Sequence, residues 1–117
     1  LSYEVAKNLG TLSMFTERVD GKMTFKRGFH FAPGTRILVV EDITTTGGSI
    51  FEVMDAIKAL QGEVVGVGLL VDRSGGKVNF GVRTEALLHL NVETYKPEEC
   101  PLCAQHVPMT QRGRTGK

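Results

Sequence analysis

Four branched apolar residues in succession, Ile37-Leu-Val-Val40, stand out in a chain whose other apolar positions are mostly spaced apart. A half-exposed strand would alternate, so the run predicts a strand covered on both faces, as in a parallel sheet. Ahead of it, Leu1, Val5 and Leu9 recur every four residues and Gly10 follows, which predicts a helix with a glycine stop. Thr11–Thr16 reads as a strand. The stretch from Arg18 to Gly34 is rich in charge and glycine and predicts a long hairpin or mobile loop, closed by Pro33-Gly34. After the run, Ile50, Val53, Met54, Ile57 and Leu60 form a helical stripe that Gln61-Gly62 ends. Val64–Val71 is the next apolar strand. A strand–helix–strand unit of this length predicts a right-handed parallel crossover, hence an α/β fold. Beyond Gly76, Val78–Val82 and Ala86–Leu90 are expected as short strands. With no internal repeat or linker, the expectation is one core over residues 1–104 and a polar, basic, poorly ordered tail over 105–117.

The chemistry begins where the apolar run stops. Glu41 and Asp42 follow Val40, then Ile43, and then six small residues: Thr44, Thr45, Thr46, Gly47, Gly48 and Ser49. Open α/β sheets bind ligands at the carboxyl ends of their strands, which is where this segment falls. Small residues let backbone N–H groups approach a phosphate, the hydroxyls add donors, and the following helix start favours an anion by ~0.3–1 kcal/mol. Carboxylates repel phosphate but accept hydrogen bonds from ribose hydroxyls. One loop thus combines an anion cradle with a diol acceptor, the requirements of a phosphorylated ribose. Rival phosphate motifs fail: no lysine lies between Thr44 and Ser49, as a Walker loop needs, and Gly66-Val-Gly68 has Val71 where a dinucleotide fingerprint needs its third glycine. An ordinary Ser/Thr helix cap would need one hydroxyl, whereas this loop has four.

Composition narrows the partners. A formal charge of +1 and 7% aromatic residues argue against nucleic acid. No apolar run approaches the ~20 residues of a membrane span, and the start lacks a signal-peptide pattern. Two cysteines without secretory features make the cytoplasm the default compartment.

Val39-Val-Glu-Asp-Ile-Thr-Thr-Thr-Gly-Gly-Ser49 resembles the phosphoribosyl pyrophosphate (PRPP) signature of type I phosphoribosyltransferases. Phe15-Thr-Glu-Arg18, Val71-Asp-Arg-Ser-Gly-Gly76 and the tail Tyr95-Lys-Pro-Glu-Glu-Cys-Pro-Leu-Cys103 resemble the orotate branch of that family. The resemblance covers essentially the whole chain. It implies a Rossmann-like parallel sheet flanked by helices, and transfer of the phosphoribosyl group from PRPP to orotate, giving orotidine 5′-monophosphate and pyrophosphate in pyrimidine biosynthesis. It also implies Mg²⁺ as cofactor and a homodimer with a shared lid loop. In the family an N-terminal hood and a first core strand precede the opening helix. The chain begins at Leu1 without methionine, so a fragment is expected.

The resemblance also distributes roles. Glu41, Asp42 and the loop Ile43–Ser49 would hold PRPP, with Asp42 catalytic. Arg18 and Lys22 match two positions of the family's lid pattern, and Lys22 would stabilise the charge growing on pyrophosphate. Val19 and Thr24 depart from that pattern, which leaves Lys26 and Arg27 as substitutes. Thr45 and Arg73 would contact orotate. A guanidinium beside a strand end suits a carboxylate, because its donors form a fixed fork. A transferase for another base and a non-catalytic PRPP-binding domain remain alternatives. Cys100, Cys103 and His106 supply at most three zinc ligands, or else a reduced pair on a turn. His30 and His89 are expected to be structural.

Overall fold

The computed structural model describes residues 1–108; residues 109–117, most of the expected tail, lie outside them. Two sheets are present. β1 (Thr16–Val19) and β2 (Lys22–Phe25) form an antiparallel hairpin, while β3 (Arg36–Thr44), β4 (Glu63–Asp72) and β5 (Thr84–His89) form a parallel sheet in that order. Helix α1 (Ser2–Leu9) precedes the hairpin, α2 (Gly48–Ala59) links β3 to β4, and α3 (Pro101–Ala104) lies near the C-terminal end of the described residues. Among those residues no helix is long and apolar enough to cross a membrane.

The core sits between α2 and one face of the parallel sheet. Ile50, Met54 and Ile57 project from α2 onto Val39, Val67 and Leu69, and Phe80 closes the cluster. Ile50 and Ile57 are only 1% exposed, so the stripe read from the sequence is the buried face. The crossover expected between Val40 and Val64 is present, with Ile37 opposite Val64 and Thr44 opposite Asp72.

Several expectations are corrected. Val39 is buried but Leu38 is 43% exposed, so β3 is not covered on both faces. Every residue from Arg36 to Asp42 lines a cavity of about 830 Å³ that runs along the open edge of β3. Its far side is formed by α1 and by residues 11–16. Thr11–Phe15 forms no strand and regular structure starts only at Thr16, because among the described residues no strand pairs with this segment or with the open edge of β3. Gly10 does stop α1 in the left-handed region at φ 67°, yet Ala6, not Leu1 or Leu9, is that helix's buried residue. Val78–Val82 is irregular too: Val78, Phe80 and Val82 alternate toward the core without a strand neighbour. The Arg18–Gly34 region does contain a hairpin, turned tightly at Asp20 and Gly21, both at positive φ.

Candidate active site

β3 ends at Thr44 and α2 begins at Gly48, so the chain reverses in three residues. Among the described residues no side chain caps α2. Its N-cap is Gly47, at φ 80° and ψ 0°, and the Gly47 carbonyl accepts the first helical bond from Phe51 N at 2.9 Å. The loop hydroxyls are therefore not consumed in capping the helix. Gly47 is also walled in: a Cβ there would lie 2.8 Å from Val78 Cγ1 and 3.0 Å from Phe80 Cε1. Nothing in the sequence spacing pointed to Val78 and Phe80 as the floor of this turn, because the contact spans some thirty residues.

The turn encloses a small polar pocket of about 70 Å³. Glu41, Ile43, Thr44, Thr45, Thr46, Gly47, Gly48, Ser49 and Ile50 line it, so every loop residue singled out in the sequence converges there. That volume exceeds the ~10–15 Å³ a single water needs and leaves room for a small anion. Asp42 behaves differently. Successive strand residues point to opposite sides, and Asp42 lines the large cavity instead, its Oδ1 accepting from Ile43 N at 2.7 Å. Glu41 borders both cavities and its Oε1 accepts from Asp42 N at 3.1 Å. Burial pushes the Glu41 carboxyl above its usual range, and the neighbouring Asp42 carboxyl adds to the rise, against the hydrogen bond from the Asp42 N–H.

The carboxyl ends of the three parallel strands align. Thr44 lies opposite Asp72 and Asp72 opposite His89. Arg73 N donates to Thr44 O at 2.8 Å, which fixes Arg73 beside the loop. Asp72 accepts from Ser74 N at 2.8 Å and faces His89 Nδ1 at 3.7 Å. His89 thus belongs to this edge rather than to the core, and its place became legible only once the register was known. His30 lines the large cavity, its Nδ1 lying 2.8 Å from Gly28 O.

The lid residues are not gathered into the pocket. Arg18 pairs with Glu52 of α2 at 2.9 Å and donates to Gly21 O at 2.8 Å. Lys22 is exposed at the start of β2, opposite Val19, and lines neither cavity. Arg27 is engaged by Glu17 through two bonds of 3.0 and 3.1 Å.

Residues 7–79 match the phosphoribosyl transferase domain, a span that contains the hairpin, β3, the loop, α2 and β4. The chain belongs to that family. Similar curated proteins include one from Desulforamulus reducens, 60% identical over 97% of this chain, and one from Pelotomaculum thermopropionicum, 55% identical over 97%. Both are named orotate phosphoribosyltransferase. This chain spans 59% and 60% of their lengths. Among solved structures, the UMP synthase of Leishmania donovani superposes with a TM-score of 0.60 at 20% identity, covering 75% of this chain and 20% of that one. The adenine phosphoribosyltransferase of Thermoanaerobacter pseudethanolicus gives 0.57 at 18%, covering 75% and 61%. These two likenesses establish the phosphoribosyltransferase fold and say nothing of the base.

Proposed function

We propose that this polypeptide carries the PRPP-binding half of an enzyme that transfers the 5-phosphoribosyl group to orotate. The observation that carries the reading is the polar pocket at the carboxyl end of β3, with hydroxyls left over from helix capping and Glu41 at its rim. The identity to proteins named for orotate supports the choice of base.

In the proposed reaction a ring nitrogen of orotate attacks C1 of the ribose. The C1–O bond to pyrophosphate breaks, pyrophosphate leaves with the electron pair, and the attacking nitrogen gives up its proton to pyrophosphate or solvent. The N–H groups and hydroxyls of Thr44–Ser49 bind the 5′-phosphate, while Glu41 and Asp42 accept hydrogen bonds from the ribose hydroxyls. Such positioning supplies up to ~7–11 kcal/mol of a barrier. The oxygen-only donors at the rim suit Mg²⁺, a hard cation that keeps much of its water and binds chiefly through substrate phosphates. When bound it would offset charge on pyrophosphate.

Arg73 and Thr45 are assigned to orotate. Arg73→Ala should raise the KM for orotate about ten- to hundredfold, the worth of a charge-assisted hydrogen bond of ~1.5–3 kcal/mol, with the KM for PRPP little changed. Steady-state kinetics with each substrate varied checks this, and a matching rise for PRPP would remove Arg73 from the base site. Lys22, exposed at the start of β2, is assigned to the leaving pyrophosphate from the neighbouring subunit of a homodimer. Lys22→Ala should lower kcat far more than it raises the KM for PRPP. Should Lys26→Ala give that pattern instead, the role belongs to Lys26. The reaction and its substrates are those of the cytoplasm.

The test is loss of orotate absorbance on mixing the chain with PRPP and Mg²⁺, with adenine and hypoxanthine in parallel and PRPP binding followed by calorimetry. Orotate consumption alone, or PRPP binding that orotate analogues strengthen, supports the assignment. Turnover of adenine or hypoxanthine, or no heat with PRPP, overturns it.

A further inference from the structure

We propose that Cys100 and Cys103 form a reversible dithiol–disulfide site, oxidised by exchange with a small-molecule disulfide of the glutathione class. The pair stands apart from the sheet and from the loop, and its chemistry does not depend on the orotate reading. Cys100 is the N-cap of α3, in extended backbone at φ −75° and ψ 120°, with Pro101 at the first helical position. Cys103 lies three residues on, within the same turn. Helix geometry places such residues about 5 Å apart at Cα, inside the ~4.4–6.8 Å that a disulfide spans. The turn is closed by Ala104 N donating to Cys100 O at 3.1 Å and His106 N donating to Cys103 O at 3.0 Å. Both thiols are free and half-buried. His106, spaced as a third metal ligand, does not join them: among the described residues no three His, Cys, Asp or Glu side chains converge.

The two cysteines are not equivalent. The N–H and thiol of Cys103, with a lesser effect from the Leu102 N–H, hold the Cys100 thiol below the usual range, against burial. Cys103, donating to Cys100, is pushed up. Thiolate is the nucleophile in exchange, so Cys100 attacks first. Its sulfur bonds to one sulfur of the small disulfide, whose S–S bond breaks and releases one thiolate. Cys103 then loses its proton and attacks the Cys100 sulfur, releasing the second thiol. In total two protein thiols are oxidised to one disulfide, and one small disulfide is reduced to two thiols.

Intact-mass spectrometry of the native chain in glutathione redox buffer tests this. Oxidised glutathione should remove the mass of two hydrogens and leave no adduct, and dithiothreitol should restore it. Cys103→Ser should instead stop at one glutathione adduct on Cys100. Cys100→Ser should react roughly tenfold more slowly or worse, having lost the activated thiolate. A persistent adduct on the unaltered chain, a disulfide between two chains, or equal reactivity of the two single variants would overturn the proposal. Far-UV circular dichroism of both variants, expected to match the parent, separates altered reactivity from misfolding.

Discussion

Glu41→Gln should lower turnover about 10- to 150-fold while leaving the chain as stable as before, or more so. A ribose hydroxyl donating to a carboxylate contributes ~1.5–3 kcal/mol, and an amide that presents its NH2 in place of an acceptor loses it. Asp42→Asn should cost as much, because the diol has two hydroxyls and both carboxylates line the large cavity, which Glu41 joins to the loop pocket. Stability moves the other way for a physical reason. Burial raises the Glu41 pKa in the folded chain, so the folded state holds that proton more tightly than the unfolded one. Ionised Glu41 therefore opposes folding above its folded pKa, and the penalty fades as pH falls from there to the unfolded value. Glutamine never carries the penalty. For activity the sign is opposite, since the diol needs the ionised acceptor. The acid limb of kcat/KM should lie above the range of an ordinary glutamate and move to lower pH in Glu41→Gln. A pH–rate profile with thermal melts checks both halves. Unchanged turnover, or a limb that stays in place after the substitution, would remove Glu41 from the diol.

The second large effect falls on Gly47. Gly47→Ala should destabilise the fold by about 2–5 kcal/mol, combining the cost of left-handed backbone with overpacking against Val78 and Phe80. For a domain of this size that is a fall in melting temperature on the order of 10–30 °C. Gly48 supplies the contrast. A Cβ at Gly48 meets only Thr46 Oγ1, at 3.6 Å, and needs no positive φ. Gly48→Ala should thus be neutral or slightly stabilising as a helix residue, by up to ~1 kcal/mol. It should still weaken PRPP binding by crowding the small pocket. Melting curves and PRPP calorimetry on both variants separate the glycine that shapes the turn from the one that leaves room in it. Equal melting temperatures would show that the Val78–Phe80 wall yields.

The contrast also marks what the sequence could disclose. The loop was legible because its chemistry is contiguous: carboxylates, threonines and glycines arrive together at a strand end. Helix α2 was legible because Ile50, Met54 and Ile57 repeat with the helical period and nothing competes with it. The wall of Val78 and Phe80 was not, because side chains packing under a turn leave no periodic trace. Thr11–Phe15 has the composition of a strand, but a strand is defined by its neighbours, and among the described residues none pairs with it. Val78–Val82 failed likewise, its alternation reporting burial rather than pairing. Arg18 and Lys22 could be ranked by type, yet only the structure shows Arg18 committed to Glu52.

The open edge of β3 has a consequence for handling the protein. A long apolar strand with one row of N–H and C=O groups unpaired is a template for intermolecular β-pairing. Its run Ile37-Leu-Val-Val40 carries no charge or proline to interrupt such growth. The solubility ceiling of the isolated chain should therefore be set at this strand rather than by its near-neutral net charge. A lysine at Leu38, already 43% exposed, should raise that ceiling while leaving the α2 face of the sheet untouched.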